Sequence, residues 1–498
     1  MSRQLDRLIA RSQYQRPRAL RAKTAILARE TKTLPSLANL GRHLESLPTG
    51  EIGYLKETSE LRAKAERIAE WQRQADAAPS ALIRHDRLEQ ALEAMAGFRG
   101  YVSGCAEPLA SEFLRAAESW EANLRRQIDA LPREVPDFFN PNLAVRAGME
   151  AFVRRDDLLA DLQQRLRNPA GGSGLLLYAR RRMGKSTILQ NLERLLPREL
   201  AAVYVSMQNA EAATSEAHFS AWLGEKLASL FPKADLTPIP ADLAALARTL
   251  RRLQEYLDNS DCRVLIAIDE FEVIDERIGE GMMSERLLGM VRDCIQTHRQ
   301  IRWLFSGVHH VSELPNARWS SYLTAFQQIE VRPFSAAETH QLLTEPLKFA
   351  NAFGDRTPPQ ADFFVKNEFW APGMIERIQH ESQGWPALVQ GIAKEVVAAC
   401  NRRKVLQAND ALLDEALDAV LTSVDGTLQE LLLQQARQEP EKSASLFIRA
   451  FRTTEEQSPP AEDAVRQLLQ RHELVVPTAS GAWRLRVPLM QRWLEKKG

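Results

Sequence analysis

Hydrophobic positions recur with a helical period in the first quarter of the chain. Leu109, Phe113, Trp120, Leu124, Ile128 and Leu131 fall at intervals of three, four or seven, which predicts one apolar stripe along a helix. Leu88, Leu92, Met95 and Phe98 predict a second helix of this kind, with breakers at Pro48, Gly50, Pro79 and Pro108. Antiparallel helices joined by short turns, as a bundle or a long hairpin, are the simplest way to pair such stripes. The turn-rich stretch PREVPDFFNPN at 132–142 ends this texture, so residues 1–134 are expected to form an all-α domain.

Beyond it, continuous apolar runs replace the stripes. With GLLLYA at 174–179 as such a run, the stretches 201–207, 263–270, 301–307 and 327–334 complete a set of five candidate buried strands. Amphipathic stretches such as 241–257 and 283–298 lie between them and predict helices. Strands alternating with helices imply a parallel sheet covered on both faces, an α/β core over 135–335. Residues 336–410 return to helical texture. From 411 to 498, helices give way to HELVVPTASGAWRLRVP, two strand-like runs about a Ser-Gly turn, which predicts a winged helix. Trp483 and Trp493 are expected in its core.

Composition narrows the function classes only slightly. A chain of 498 residues is too long for one core, and 44% apolar with 26% charged residues is ordinary for a soluble globular protein. The formal net charge of zero gives no global bias towards nucleic acid or acidic surfaces. Cys105, Cys262, Cys294 and Cys400 are too scattered for a metal site and read as reduced, buried thiols of a cytoplasmic protein. No apolar run approaches the roughly 18 residues of a membrane span, and no secretory signal opens the chain. Charge is uneven at one place: residues 1–42 carry ten Lys/Arg against Asp6 and Glu30. A solvated helix face explains that excess; contact with nucleic acid, acidic lipid or an acidic partner is the alternative.

The chemistry is concentrated in two stretches. YARRRMGKST, 178–187, follows the first strand and matches a phosphate-binding loop except that Ala179 replaces the first glycine. Ala179, Arg182, Met183, Gly184, Lys185, Ser186 and Thr187 would surround the phosphates. Backbone N–H groups and a helix N-terminus form the anion hole there, Lys185 reaches the β- and γ-phosphates, and Ser186 ligates Mg²⁺. Arg180, Arg181 and Arg182 could neutralise phosphate, face solvent or meet a neighbouring subunit; at least two are expected to point outward. The second stretch, VLIAIDE, ends a buried strand on Asp269 and Glu270, acidic residues that are costly there unless paired. Asp269 would hold Mg²⁺ through water, and Glu270 would orient or deprotonate the attacking water. His309-His310 has no supporting ligand set for a metal.

These residues together resemble the STAND branch of the AAA+ ATPases, particularly its archaeal-ATPase-like members. The resemblance spans roughly 140–498 and implies an α/β P-loop core with a helical lid over 336–410 and a winged helix over 411–498. EAFVRRDDLLADL at 150–162 is similar to the segment preceding the loop in that branch, which places Val153 and Arg155 near the adenine, although Arg154 stands where the family has glycine. WLFSGVHH matches the sensor strand, with Ser306 facing the γ-phosphate. GWPAL resembles the lid's GxP motif, with Pro386 stacked near the base. An arginine finger acting across an assembly is implied, with Arg299, Arg302 and Arg318 as candidates.

Three functions follow as expectations. One is an ATP-hydrolysing switch of the signalling or anti-phage defence kind, in which nucleotide closes the lid and winged helix onto the sheet. It would address a protein partner through the N-terminal helices or winged helix, or form a nucleotide-dependent homo-oligomer. The second is a DNA-binding AAA+ ATPase resembling replication initiators or transposition regulators. Against it, PAEDAVRQLLQRHE carries three acidic residues and two arginines, leaving Arg484, Arg486 and the N-terminal arm in favour. The third is a scaffold that binds ATP without turnover.

Overall fold

The computed structural model describes residues 16–497 apart from 35, 48, 50–53, 79–80, 108, 132–133, 146–149, 169–173, 309–310, 324–325, 350–362 and 433–438. Four of the expected breakers (Pro48, Gly50, Pro79 and Pro108), the start of the basic arm and His309-His310 lie outside the described residues. The chain divides into two compact units, Met1–Pro136 with Asn401–Leu406, and Asp137–Cys400 with Gln407–Gly498.

The first unit is helical, with α1 (Arg16–Thr31), α2 (Tyr54–Asp76), α3 (Ala81–Val102) and α4 (Leu109–Asp129) as its main elements. The two stripes legible in the sequence meet here. Phe98 of α3 packs against Phe113 and Trp120 of α4 with ring centroids 6.2 and 5.4 Å away. Burying each such ring contributes about 1.5–3 kcal/mol. The indole N–H of Trp120 donates to the Thr31 carbonyl at 2.8 Å, so its polar atom is satisfied and α4 is fixed to the end of α1.

The second unit is built on a five-stranded parallel sheet: β1 (Leu175–Tyr178), β2 (Leu200–Ser206), β3 (Arg263–Asp269), β4 (Ile301–Gly307) and β5 (Gln327–Glu330), in the order β2-β3-β4-β1-β5. All four residues of β1 and all seven of β4 are buried, which is why β1 is wholly apolar and β4 is interrupted only by Arg302 and Ser306. The fifth run was expected to reach 334. Its pairing ends at Glu330, with a last bond from Val331 N to the Tyr178 carbonyl at 3.0 Å, because its partner β1 ends at Tyr178. Alternate residues of β3, Val264, Ile266 and Ile268, join one core with helices α8 (Leu243–Leu257) and α10 (Arg286–Thr297), numbered after α5 (Asp156–Arg167), α6 (Lys185–Leu189), α7 (Glu216–Leu230) and α9 (Glu272–Gly279).

After the sheet come α11 (Ala336–Thr344), α12 (Met374–Ser382) and α13 (Pro386–Arg403), the helices of the expected lid segment. A capping box of Ser335 and Glu338 starts α11. Gly384 joins strand exit to lid: its carbonyl accepts from Phe334 N at 2.7 Å, its φ is +72°, and an added Cβ would lie 2.1 Å from the Phe334 carbonyl oxygen. Only glycine fits. The C-terminal stretch forms α14 (Asp410–Ser423), α15 (Asp425–Leu431), α16 (Glu441–Ala450), α17 (Asp463–Arg471), an antiparallel ribbon of β6 (Val475–Pro477) and β7 (Trp483–Leu485), and α18 (Pro488–Lys497). Trp483 and Trp493 are both buried in it. All four cysteines are free, but Cys105 and Cys262 are only half-buried rather than buried as expected, since each sits at the edge of its core.

Candidate functional site

The sheet order decides which chain segments meet. In a parallel sheet, loops at the carboxyl ends share one edge, and neighbouring strands stand about 4.8 Å apart. The loop after β1 and the acidic end of β3 are therefore separated only by β4. Asp269 is in register with Ser306 of β4 on one side and with Ser206 of β2 on the other. A cavity of about 570 Å³ opens at this edge.

The loop from Ala179 to Gly184 turns the chain into α6. Gly184 is left-handed, at φ +88°, and begins the helix, so the glycine is required by the backbone itself. Ala179 is not among the left-handed residues, and its N–H donates to the Gly307 carbonyl at 3.4 Å. Alanine in place of the first glycine thus causes no backbone strain. The left-handed turn is carried instead by Arg182, at φ +65°. Met183 is buried beneath the loop and does not line the cavity, whereas Thr187 does, and its hydroxyl accepts from Val145 N at 3.2 Å.

Lys185 and the acidic strand end converge across the cavity. The Lys185 ammonium donates to the carbonyls of Ala179 and Arg180 at 2.6 and 3.3 Å. Burial pulls it down to about 8, while the carboxylates of Asp269 and Glu272 act in the opposite sense. Ser186 Oγ donates to Asp269 Oδ2 at 2.9 Å, and the Tyr204 hydroxyl reaches the same oxygen at 3.3 Å. Glu270 is left-handed at φ +58°. Burial, then the neighbouring charges of Asp269 and Glu272, push its carboxyl up to about 7. Gln208 Nε2 donates to Glu270 Oε1 at 2.5 Å and orients it. Ser306 is fully buried, and no described group lies within hydrogen-bond reach of its hydroxyl.

Some expected residues are placed elsewhere. Val153 and Arg155 do not line the cavity. Arg155 donates to the Arg332 carbonyl at 2.6 Å, pairs with Glu338 at 2.8 Å and lies over the Phe334 ring, so it braces the strand exit against the lid. The rest of the lining comes instead from Asn142, Leu143 and Ala144, a segment bonded to the loop, and from Pro386, Ala387 and Gln390 of α13. Asn140 N donates to Gln390 Oε1 at 2.9 Å and holds those two segments together. Arg302 is the second residue of β4, five positions before its carboxyl end, and Arg299 precedes the strand by two; Arg302 is buried against the Asn168 carbonyl at 3.0 Å. At about 3.3 Å per residue neither reaches this molecule's own loop. Arg318 is tied to Glu285 at 2.8 Å.

The arginines of the loop take different directions. Arg181 and Arg182 are exposed; Arg181 pairs with Glu430, and Arg182 donates to the Asn142 carbonyl at 3.0 Å. Arg180 is 7% exposed and turns away from the cavity into the C-terminal helices. Tyr204, Gln208, Gln390 and Glu430 were not singled out from the sequence, because only the strand order and the chain's return through α13 and α15 bring them here.

Serine hydroxyl and carboxylate oxygens side by side are the hard donor set that Mg²⁺ takes, usually one or two protein oxygens completed by phosphate and water. Ser186 and Asp269 fit that ion. Among the described residues, no group of three or more His, Cys, Asp or Glu forms a metal site of its own. No helix among the described residues is long and apolar enough to cross a membrane.

No protein-family model matches the chain. No curated protein matches it either. Among solved structures it is similar to the Aeropyrum pernix ORC2 protein, at 14% identity and TM-score 0.39, over 69% of this chain and 94% of that one. It is also similar to the Aeropyrum pernix ORC1 protein in complex with DNA, at 13% identity and TM-score 0.35, over 70% and 94%. The Thermotoga maritima RuvB Holliday junction branch migration motor is similar at 12% identity and TM-score 0.35, over 67% and 92%.

Proposed function

We propose that this protein is an ATPase of the AAA+ kind, resembling the STAND branch, whose nucleotide state sets how the lid and C-terminal region are held and thereby controls a protein partner or self-association. The observation that carries this reading is the convergence of Lys185, Ser186, Asp269 and Glu270 on one cavity, with Ser186 Oγ 2.9 Å from Asp269 Oδ2. The loop N–H groups and Lys185 would bind the triphosphate, with Ala179, Arg182, Met183, Gly184 and Thr187 shaping the loop. The base would lie between the 142–144 segment and Pro386, in place of the Val153 and Arg155 contact expected from the sequence. Ser186 and Asp269 would hold Mg²⁺, which would supply positive charge to offset that of the phosphates.

Glu270 would take the proton of the attacking water. A carboxyl pushed up to about 7 is a stronger base than an ordinary glutamate and is still ionised in half the molecules at neutral pH. Gln208 aims it; Ser306 is buried in register with Asp269 of β3 and Leu177 of β1 and does not line the cavity, so its donation to the γ-phosphate would require a shift at the end of β4. The switch reading is favoured over DNA reading by the pairing of α17: Arg466 with Asp463, Arg471 with Glu313, and Arg486 of the ribbon with Glu473. The test is Glu270→Gln, expected to bind ATP as the wild type does but to lose turnover in a steady-state phosphate-release assay; retained turnover would remove Glu270 from the mechanism.

A further inference from the structure

Arg180 is a buried cation next to the phosphate loop whose partners are unusual. Its guanidinium donates to the Leu431 carbonyl at 2.5 Å and to the His472 carbonyl at 3.0 Å, and it lies 5.9 Å from the Trp385 ring centroid. Leu431 is the last residue of α15, and His472 follows the last residue of α17. Both carbonyls therefore belong to helix C-termini, where peptide groups lack intrahelical donors and the helix dipole is negative. One guanidinium satisfies two helix ends at once. Among the described residues no carboxylate lies at ion-pair distance from it; Glu441, Glu313 and Glu430 act on it only at longer range.

The adjacent residue makes a second, different contact with the same helix. Arg181 pairs with Glu430, one position before Leu431, and the Glu430 carboxylate lines the cavity together with Lys185 and Glu270. This pair is partly exposed, with side chains 59% and 30% accessible, so it is weak and open to competition. Phosphate is a stronger partner for arginine than a single exposed carboxylate, and its charge would stand beside Glu430.

We propose that the phosphate loop is also a latch for the C-terminal region, in which Arg180 pins the ends of α15 and α17 while the Arg181–Glu430 contact yields to a bound triphosphate. The second half rests on the proposal that ATP occupies the cavity. Phosphate charge repels Glu430 and draws Arg181 away, so triphosphate loosens α15 on the loop. That sign is opposite to the closure expected from the sequence, because here a carboxylate of the C-terminal region shares the phosphates' cavity. Arg180, turned away from the cavity, keeps the region from detaching altogether and confines the change to the end of α15.

Hydrogen exchange of the amides in 428–432 and 472–474, measured on the full chain, tests both halves. Without nucleotide, Arg180→Ala is expected to raise exchange at both helix ends by about ten-fold or more, since two buried carbonyls lose their donor. Arg180→Lys, which keeps the charge but cannot span both carbonyls, should raise it at one end. If both variants exchange like the wild type, the pin is wrong. With MgATP, the wild type should exchange faster at 428–432, and Glu430→Gln should bind ATP about two- to five-fold more tightly, the range of a weak surface ion pair. If direct titration shows ATP bound to the wild type while exchange and Glu430→Gln affinity stay unchanged, the phosphate-sensitive half is overturned. Absence of ATP binding to the wild type would instead overturn the ATPase proposal and with it this half, leaving the Arg180 result to stand or fall by itself.

Discussion

Turnover should rise with pH through the titration of Glu270. Its carboxyl sits between Asp269 and Glu272 in a half-buried position, and burial with those two charges pushes it up to about 7. Lys185 and Arg181 pull the other way and do not outweigh them. The base form is the carboxylate, so activity is lost as pH falls below the folded value and is full above it. With a midpoint near 7, about one molecule in ten is ionised at pH 6 and about nine in ten at pH 8, a rise of about nine-fold. The assay is kcat/KM for MgATP between pH 5.5 and 8.5, which reports the titration of the nucleotide-free enzyme. Glu272→Gln removes one of the charges that raise the midpoint, so its profile should shift to lower pH. Gln208→Leu removes the donor that orients Glu270 and should lower kcat/KM across the whole range. A wild-type profile flat from pH 6 to 8, with no displacement in Glu272→Gln, would refute the assignment of Glu270 as the base.

Two further substitutions separate stability from function. Ser306→Ala deletes a fully buried hydroxyl for which no described partner exists, so unfolding free energy should stay within about 1 kcal/mol of wild type while kcat falls; a large loss of stability would show the hydroxyl to be structural. Gly384→Ala forces a Cβ to 2.1 Å from the Phe334 carbonyl oxygen at φ +72° and should destabilise the second unit by about 2 kcal/mol or more, read by thermal unfolding. An unchanged midpoint would mean that the strand-to-lid joint relaxes freely.

The strands and the phosphate loop were legible in the sequence because each is a local pattern. Buried parallel strands make continuous apolar runs, and Gly184-Lys185-Ser186 and Asp269-Glu270 are contiguous. The neighbours of those residues are not local. Gln208 meets Glu270 because β2 lies beside β3, and Glu430 meets Arg181 across a separation of 249 positions; no periodicity encodes such pairings. Arg155 illustrates the reverse case. The segment around it resembles one that contacts adenine, but left-handed backbone at Ala151 and Arg155 and the pairing with Glu338 carry its side chain to the strand exit. The direction of Arg180 stays open in the sequence, between phosphate, solvent and a neighbouring subunit, and none of these is burial among helix ends. Its burial depends on two helix ends that the sequence places about 250 and 290 residues away.

The most direct measurement is a calorimetric titration of ATP with Mg²⁺ into the wild type and Lys185→Ala. Lys185 is the one ammonium lining the loop side of the cavity among the described residues, and its loss removes a charge-assisted contact to phosphate. Saturable binding to the wild type and a loss of at least about a hundred-fold in the variant is the predicted result. Equal affinity in the two proteins would contradict a nucleotide site at this loop.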